Sequence, residues 1–199
     1  MGDVKQIRFS GIGGQGMVLA GTILGYAGVH DGKWVYGSEE YGSQARGGSA
    51  ESEVIIAEHP IKFPHIITSD VLVVLAQSAY DSWKDSVDEK GSLVIYGDHA
   101  VTPKALNSAK QISVPAIHTA IHELHTKQVA NIVILGATVA LTGVVSKEAL
   151  SKAINENVKE RFRDINLKAF DLGYNLGQEL KPPCVRIDVA SIENSKPGH

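Results

Sequence analysis

"GSEEYGSQARGGSAESEVII", residues 37–56, decides how this chain folds. It sets two adjacent acids beside a tyrosine, places Arg46 ahead of Gly47 and Gly48, and runs into "ESEVIIA", whose polar/apolar alternation is that of a strand solvated on one face. An earlier glycine-rich stretch, "GIGGQG", occupies residues 11–16. There Gly11, Gly13 and Gly16 fit G-x-G-x-x-G, behind a strand at 6–10 and ahead of a helix whose apolar stripe reads Val18, Leu19, Ile23, Leu24 and Ala27. In a simple dinucleotide-binding unit the second strand, here "KWVYG", leads into another helix. Instead it leads into a second glycine loop, a strand, and a turn at "EHP" toward "IKFP", the predicted hairpin mate. Two such loops so close together imply a surface built to press against something.

The rest of the chain alternates strands and helices. "DVLVVLA", residues 70–76, is a continuous apolar run, as a strand buried on both faces requires. "SAYDSWKDSVDEKG" follows as a crossover helix, then "SLVIYG" and "KQISVPA" as strands. "IHTAIHELHTKQVANIVILGATVALTG" reads as one long, mostly buried helix. Ser146 is the N-cap of an amphipathic helix, and a last helix over 163–180 stops at "KPP". The pattern predicts a three-layer α/β/α domain with a mostly parallel sheet, one antiparallel hairpin and a Rossmann-like first βα unit. Residues 1–182 form a single domain, and 183–199 form a C-terminal tail.

With 199 residues, 43% hydrophobic content and a net charge of -3, the chain has the composition of one soluble domain with a real core. Nothing basic is clustered for nucleic acid. The N-terminus is neither a signal peptide nor a myristoylation site. The most apolar segment, 130–145, is shorter than the ~20 residues of a membrane span and carries Asn131, Thr138 and Thr142. A buried helix, no membrane contact and a cytoplasmic location are expected. The one cysteine, Cys184, excludes an internal disulfide, a Cys-based zinc site and a self-held iron–sulfur cluster. His118, His122 and His125 fall on one helical face near Glu123. Without HExxH or another ligand cluster they read as a helix face near a partner, not a metal site. No nucleophile–base set stands out.

The loops carry the chemistry. The first is compatible with a dinucleotide pyrophosphate, with Glu39 or Glu40 near the distance of a ribose-binding acid, or with nothing more than a tight strand-to-helix turn. Gln15 puts an amide in that turn, where it can reach a partner group. Arg46, flanked by glycines, suits a phosphate or carboxylate, or is a surface arginine paired with Glu39 or Glu40. Tyr41 is an interface anchor or a core-edge aromatic. On residues alone, a NAD/FAD dehydrogenase and a non-catalytic regulatory ligand-binding module both stay open.

Together, "IRFSGIGGQGMVLAGTIL", "YGSQARGGSAESEVII", "IKFP" and "VANIVILGA" resemble the gamma subunit of 2-oxoacid:ferredoxin oxidoreductases, from about residue 6 to 180. The resemblance implies an oxidative decarboxylation of a 2-oxoacid to its acyl-coenzyme A, with electrons passed to ferredoxin. It implies that thiamine diphosphate, Mg and the iron–sulfur clusters sit in partner alpha and beta subunits, joined in some assemblies by a ferredoxin-like delta subunit. Coenzyme A is then a co-substrate, ferredoxin the acceptor, and the isolated chain inactive. Carried over by motif, Gly13, Gly14, Gln15, Gly16, Tyr41, Arg46, Gly47, Gly48 and Asn131 are the candidate cofactor-binding residues. "YGSQARGGS" is closer to the 2-oxoglutarate type than to the pyruvate type, although Ser43-Gln44 replaces the usual Pro-Glu, which leaves branched-chain and aryl 2-oxoacids open.

Overall fold

Val71, Leu72, Val73 and Val74 are consecutive, apolar and all buried, which a strand achieves only with cover on both faces. The computed structural model describes residues 4–42, 47–87 and 91–181. Its strands are β1 (Val4–Ile12), β2 (Trp34–Tyr41), β3 (Ser49–Ala57), β4 (Val71–Val74), β5 (Leu93–Gly97) and β6 (Lys110–Val114). Its helices are α1 (Met17–His30), α2 (Gln77–Trp83), α3 (Ala116–Leu124), α4 (Ala130–Thr142), α5 (Lys147–Asn157) and α6 (Arg163–Leu180). Val71 and Val73 enter the large core with α1 and α4, whereas Leu72 and Val74 enter a smaller cluster with Tyr80 of α2 and Val94. The alternation of side chains along the strand thus divides the core into two unequal halves.

The sheet order is β2-β3-β1-β4-β5-β6. β1, β4, β5 and β6 pair in parallel, and β3 runs antiparallel to both β2 and β1. The three-layer reading holds, with the hairpin placed differently. β3 pairs with β2 on one edge and with β1 on the other, Val4 opposite Ala57 through Ile12 opposite Ser49. No edge of β3 is left for "IKFP", and Pro60 and Pro64 bracket that segment with residues that lack an N–H. It is a surface loop with Phe63 and Ile67 exposed. β2 is also longer than "KWVYG" suggested, so Glu39, Glu40 and Tyr41 are strand residues and the second glycine stretch joins β2 to β3.

Two further expectations are corrected. On α1 the buried positions are Met17, Ala20, Ile23, Leu24 and Ala27 with Gly21 and Gly28, while Leu19 is exposed and Val18 half-buried. The glycines let the helix press on the sheet, which rotates the buried stripe away from Leu19. The long helix predicted over 117–143 is two helices. His125 adopts φ 55°, a left-handed residue that ends α3, and Thr126 Oγ1 accepts from the Gln128 N–H to open a 3₁₀ turn before α4. Ser146 caps α5 as expected, its hydroxyl accepting from the Ala149 N–H at 3.1 Å. The segment 183–199 lies outside the described residues.

From Ala130 to Ala140 every residue of α4 is buried, because the sheet covers one side and α6 the other. Among the described residues no helix is long and apolar enough to cross a membrane. α6 lies so close to α4 that a Cβ at Gly173 would stand 2.0 Å from the Val133 carbonyl oxygen. Gly173→Ala must therefore push two helices apart. We expect a loss of about 1–3 kcal/mol in denaturant-induced unfolding. Unchanged stability would mean that the helices do not meet this closely.

Candidate functional site

β1 and β4 are neighbours, and the helices that follow them, α1 and α2, pack on opposite faces of the sheet. The connections that leave these two parallel strands thus run to opposite sides, and the crevice beyond their carboxyl ends is where open α/β sheets hold ligands. Here Gln15 spans it. Its Oε1 accepts from the Ile12 N–H at 2.9 Å, and its Nε2 donates to the carbonyl of Leu75, just past β4, at 2.8 Å. The Gln15 N–H closes the turn onto the Ile12 carbonyl at 3.1 Å. The amide expected to reach a partner group is turned inward, because both of its ends find backbone groups at the tips of two adjacent strands.

The second loop leans on the first. The Gly13 N–H donates to the Gly48 carbonyl at 2.8 Å, continuing the β1–β3 ladder beyond Ile12 and Ser49. Gly14 and Gly16 hold φ of 94° and 73°, and Gly47 holds 74°, values that L side chains rarely adopt. Asn131, in the first turn of α4 and 3% exposed, donates its Nδ2 to the Gly16 carbonyl at 2.9 Å. Its Oδ1 is buried without a partner among the described residues. Gly13, Gly14, Gln15, Gly16, Gly47, Gly48 and Asn131 therefore form one connected unit. Arg46 lies outside the described residues.

Tyr41 stands apart from that unit, 68% exposed at the end of β2. Its hydroxyl donates to Glu39 Oε2 at 3.3 Å, and Thr22 Oγ1 lies 3.0 Å from Glu39 Oε1. Desolvation of the phenol, then the charge and hydrogen bond of Glu39, raise the Tyr41 pKa, so the hydroxyl stays protonated and donates. Glu39 is held on the α1 side of β2, away from a ribose-binding position. Between the two loops and α2 lies a polar cavity of about 350 Å³, lined by Ser10, Gly48, Ser49, Glu51, Ser78 and Ser82 among others. Ser10 is fully buried and its hydroxyl has no partner among the described residues.

One residue beside this site went unread in the sequence. Arg8 of β1 is 2% exposed. Its guanidinium pairs with Glu53 and lies 3.6 Å from the centre of the Trp83 ring. It also donates to Ser86 Oγ at 3.1 Å and to the Ile66 carbonyl at 3.3 Å. The available signal was a lone cation in "QIRFS" and the second of the two acids in "ESEVII", on strands that turn out to pair Arg8 opposite Glu53. Of the three histidines, His118 and His122 stack with ring centres 4.1 Å apart, and His125 sits at the left-handed end of α3. Among the described residues no three His, Cys, Asp or Glu side chains group to hold a metal.

A mixed sheet with β3 reversed, and a glycine turn sealed by its own glutamine, set this domain apart from dinucleotide-binding folds. The chain belongs to the pyruvate ferredoxin/flavodoxin oxidoreductase family, whose profile matches residues 6–176. It is 43% identical over 178 residues to the 2-oxoglutarate synthase subunit KorC of Methanocaldococcus jannaschii, covering 88% of this chain and 95% of that one. The crystal structure of a keto/oxoacid ferredoxin oxidoreductase gamma subunit from Geobacter sulfurreducens is 40% identical, with a TM-score of 0.77 over 87% of this chain and 98% of that one. A 2-oxoglutarate:ferredoxin oxidoreductase from Magnetococcus marinus, with 2-oxoglutarate, coenzyme A and succinyl-CoA bound, shares the fold at 24% identity and a TM-score of 0.81. The match covers 91% of this chain and 32% of that one. The dinucleotide reading is displaced.

Asn131 offers a sharp test of the loop's anchoring. Asn131→Asp replaces the donor to Gly16 with a buried carboxylate facing a carbonyl, and an unpaired buried acid has its pKa pushed up. The ionised form is penalised, so the variant should be less stable than wild type at neutral pH. It should recover as pH falls through the raised pKa, where the protonated carboxyl donates to Gly16. Unfolding midpoints at pH 5 and pH 8 check this; a loss that is equal at both would contradict the hydrogen bond.

Proposed function

We propose that this chain is the gamma subunit of a 2-oxoacid:ferredoxin oxidoreductase that acts on 2-oxoglutarate, with coenzyme A as co-substrate. The observation that carries the substrate class is the 43% identity to a 2-oxoglutarate synthase subunit across 95% of its length. On this reading, alpha and beta subunits, with a delta subunit where the assembly has one, hold thiamine diphosphate, Mg and the iron–sulfur clusters. Those groups supply the decarboxylation and carry the electrons to ferredoxin. The domain is residues 1–182, and the segment 183–199 is a separate tail.

The part left to this chain is backbone. Gly13 and Gln15 use their polar groups inside the loop pair, so they act as positioning residues, and Asn131 does the same through Gly16. Gly14, Gly16, Gly47 and Gly48 allow an anionic ligand or a partner's backbone to come close, and the N-terminus of α1, which no side chain caps, favours negative charge there. Arg46, next to Gly47 in sequence, supplies the cation for a coenzyme A phosphate or a partner carboxylate. Tyr41 marks the outer rim.

The reading is tested by reconstituting the chain with its oxidoreductase subunits and following coenzyme A-dependent ferredoxin reduction. Turnover with 2-oxoglutarate well above that with pyruvate or 2-oxoisovalerate is expected; turnover with either of the latter alone would contradict the substrate. In the same assay Arg46→Lys keeps the charge but loses the planar fork. Losing a charge-assisted hydrogen bond costs about 1.5–3 kcal/mol, hence roughly ten- to hundredfold in coenzyme A requirement or subunit affinity. Wild-type behaviour in both would leave Arg46 an ordinary surface residue.

A further inference from the structure

Among the described residues β2 is the terminal strand of the sheet and pairs only with β3. Its register with β3 runs unbroken from Trp34 opposite Ala57 to Tyr41 opposite Ala50, so it contains no bulge. Gly37 nevertheless sits at its middle. A Cβ there would meet nothing closer than the Glu53 carbonyl oxygen at 3.8 Å, and its φ is not positive. Gly25 of α1 is the same: the nearest atom to an added Cβ is Val35 Cγ1 at 3.6 Å. Gly21 and Gly28 differ, since a Cβ would fall 2.2 Å from Ser52 Oγ in one and 2.7 Å from Val35 Cγ2 in the other. Internal packing thus explains Gly21 and Gly28 but not Gly25 or Gly37.

Both unexplained glycines line one groove of about 370 Å³ between α1 and β2. Its exposed apolar wall is Tyr26 and Val29 on α1, and Thr22 and Glu39 form its polar end. A glycine inside a strand weakens it, and where no bulge or bend accounts for it, it marks a place where another backbone comes close. An eight-residue strand whose outer edge pairs with no strand among the described residues is itself a template for pairing.

We infer that an extended segment of a partner subunit adds to the sheet along β2, with an apolar side chain seated in the groove at Gly37. Side chains alternate along such a segment. Those on the groove side are apolar, to match Tyr26 and Val29. Those on the other side include a lysine or arginine, to match exposed Glu40. A second copy of this chain fits poorly, because an antiparallel pair centred on Gly37 sets glycine against glycine and leaves both grooves empty. In the Magnetococcus protein this fold makes up 32% of a longer chain, so contacts made there within one polypeptide are, on the gamma-subunit reading, made here between subunits. The inference rests on that reading.

The test uses the full chain assembled with its oxidoreductase subunits. Gly37→Val puts side-chain bulk into the groove, suits a strand and brings its Cβ no closer than 3.8 Å to another residue, so the isolated variant should melt no lower than wild type. Its affinity for the partner subunits should fall about tenfold or more, and in the wild-type assembly the amides of residues 35–40 should exchange more slowly than in the free chain. Wild-type affinity of Gly37→Val, with unchanged exchange at 35–40, would overturn the inference. So would a dimer of the isolated chain that Gly37→Val abolishes. A wild-type chain that binds no oxidoreductase subunit would sink the gamma-subunit reading as well, whereas normal assembly with an insensitive Gly37→Val sinks only this one.

Discussion

The side-chain amide of Gln15 is the constraint on which the rest of the site depends. It is one group bonded at both ends to backbone, to the last residue of β1 and to the residue that follows β4. Bonds of this kind are modest individually, about 0.5–1.5 kcal/mol each. They matter here because they fix a turn of glycines, which has little stiffness of its own. With Gln15 in place, Gly13 presents its N–H to Gly48 and Gly16 presents its carbonyl to Asn131. The turn, the hairpin and the buried helix α4 are thereby tied at one point of the sheet.

That point is where other open α/β folds admit a nucleotide. Spanning it with a glutamine leaves an outer surface of backbone, polar hydroxyls and glycine around the cavity beside α2. Such a surface supplies close approach and hydrogen-bond donors. On the proposed reading, that is what the domain contributes to a larger oxidoreductase. Beneath it, the Arg8–Glu53–Trp83 cluster fastens the opposite face. Removing Arg8 would leave a partly buried acid alone, the kind of loss that costs far more than a surface pair.

What the sequence disclosed follows from how local each signal was. β4 was legible from its run of apolar residues, α5 from its N-cap and amphipathic period, and the end of α6 from the prolines beyond it. The break at His125 was not, because nothing in "ELHTKQ" forbids a helix; a left-handed residue is a tertiary choice there. β2 was cut short because Glu39, Glu40 and Tyr41 look like loop residues until β3 supplies their partners. In the site, the glycines were visible as glycines, but the direction of the Gln15 amide was not. That direction depends on Leu75, sixty residues away in sequence. Arg8 was passed over for the same reason, its partners lying 45 and 78 residues distant.

The central claim is that the two glycine loops form one unit locked by Gln15. The most direct measurement is amide hydrogen exchange at Gly13, resolved by NMR, in wild type and in Gln15→Ala. The Gly13 N–H bonds to Gly48, which Gln15 does not touch, so its protection should fall markedly in the variant along with that of Ile12. Loss of protection at Ile12 with Gly13 unchanged would show that the loops hold each other without Gln15, and would contradict the account.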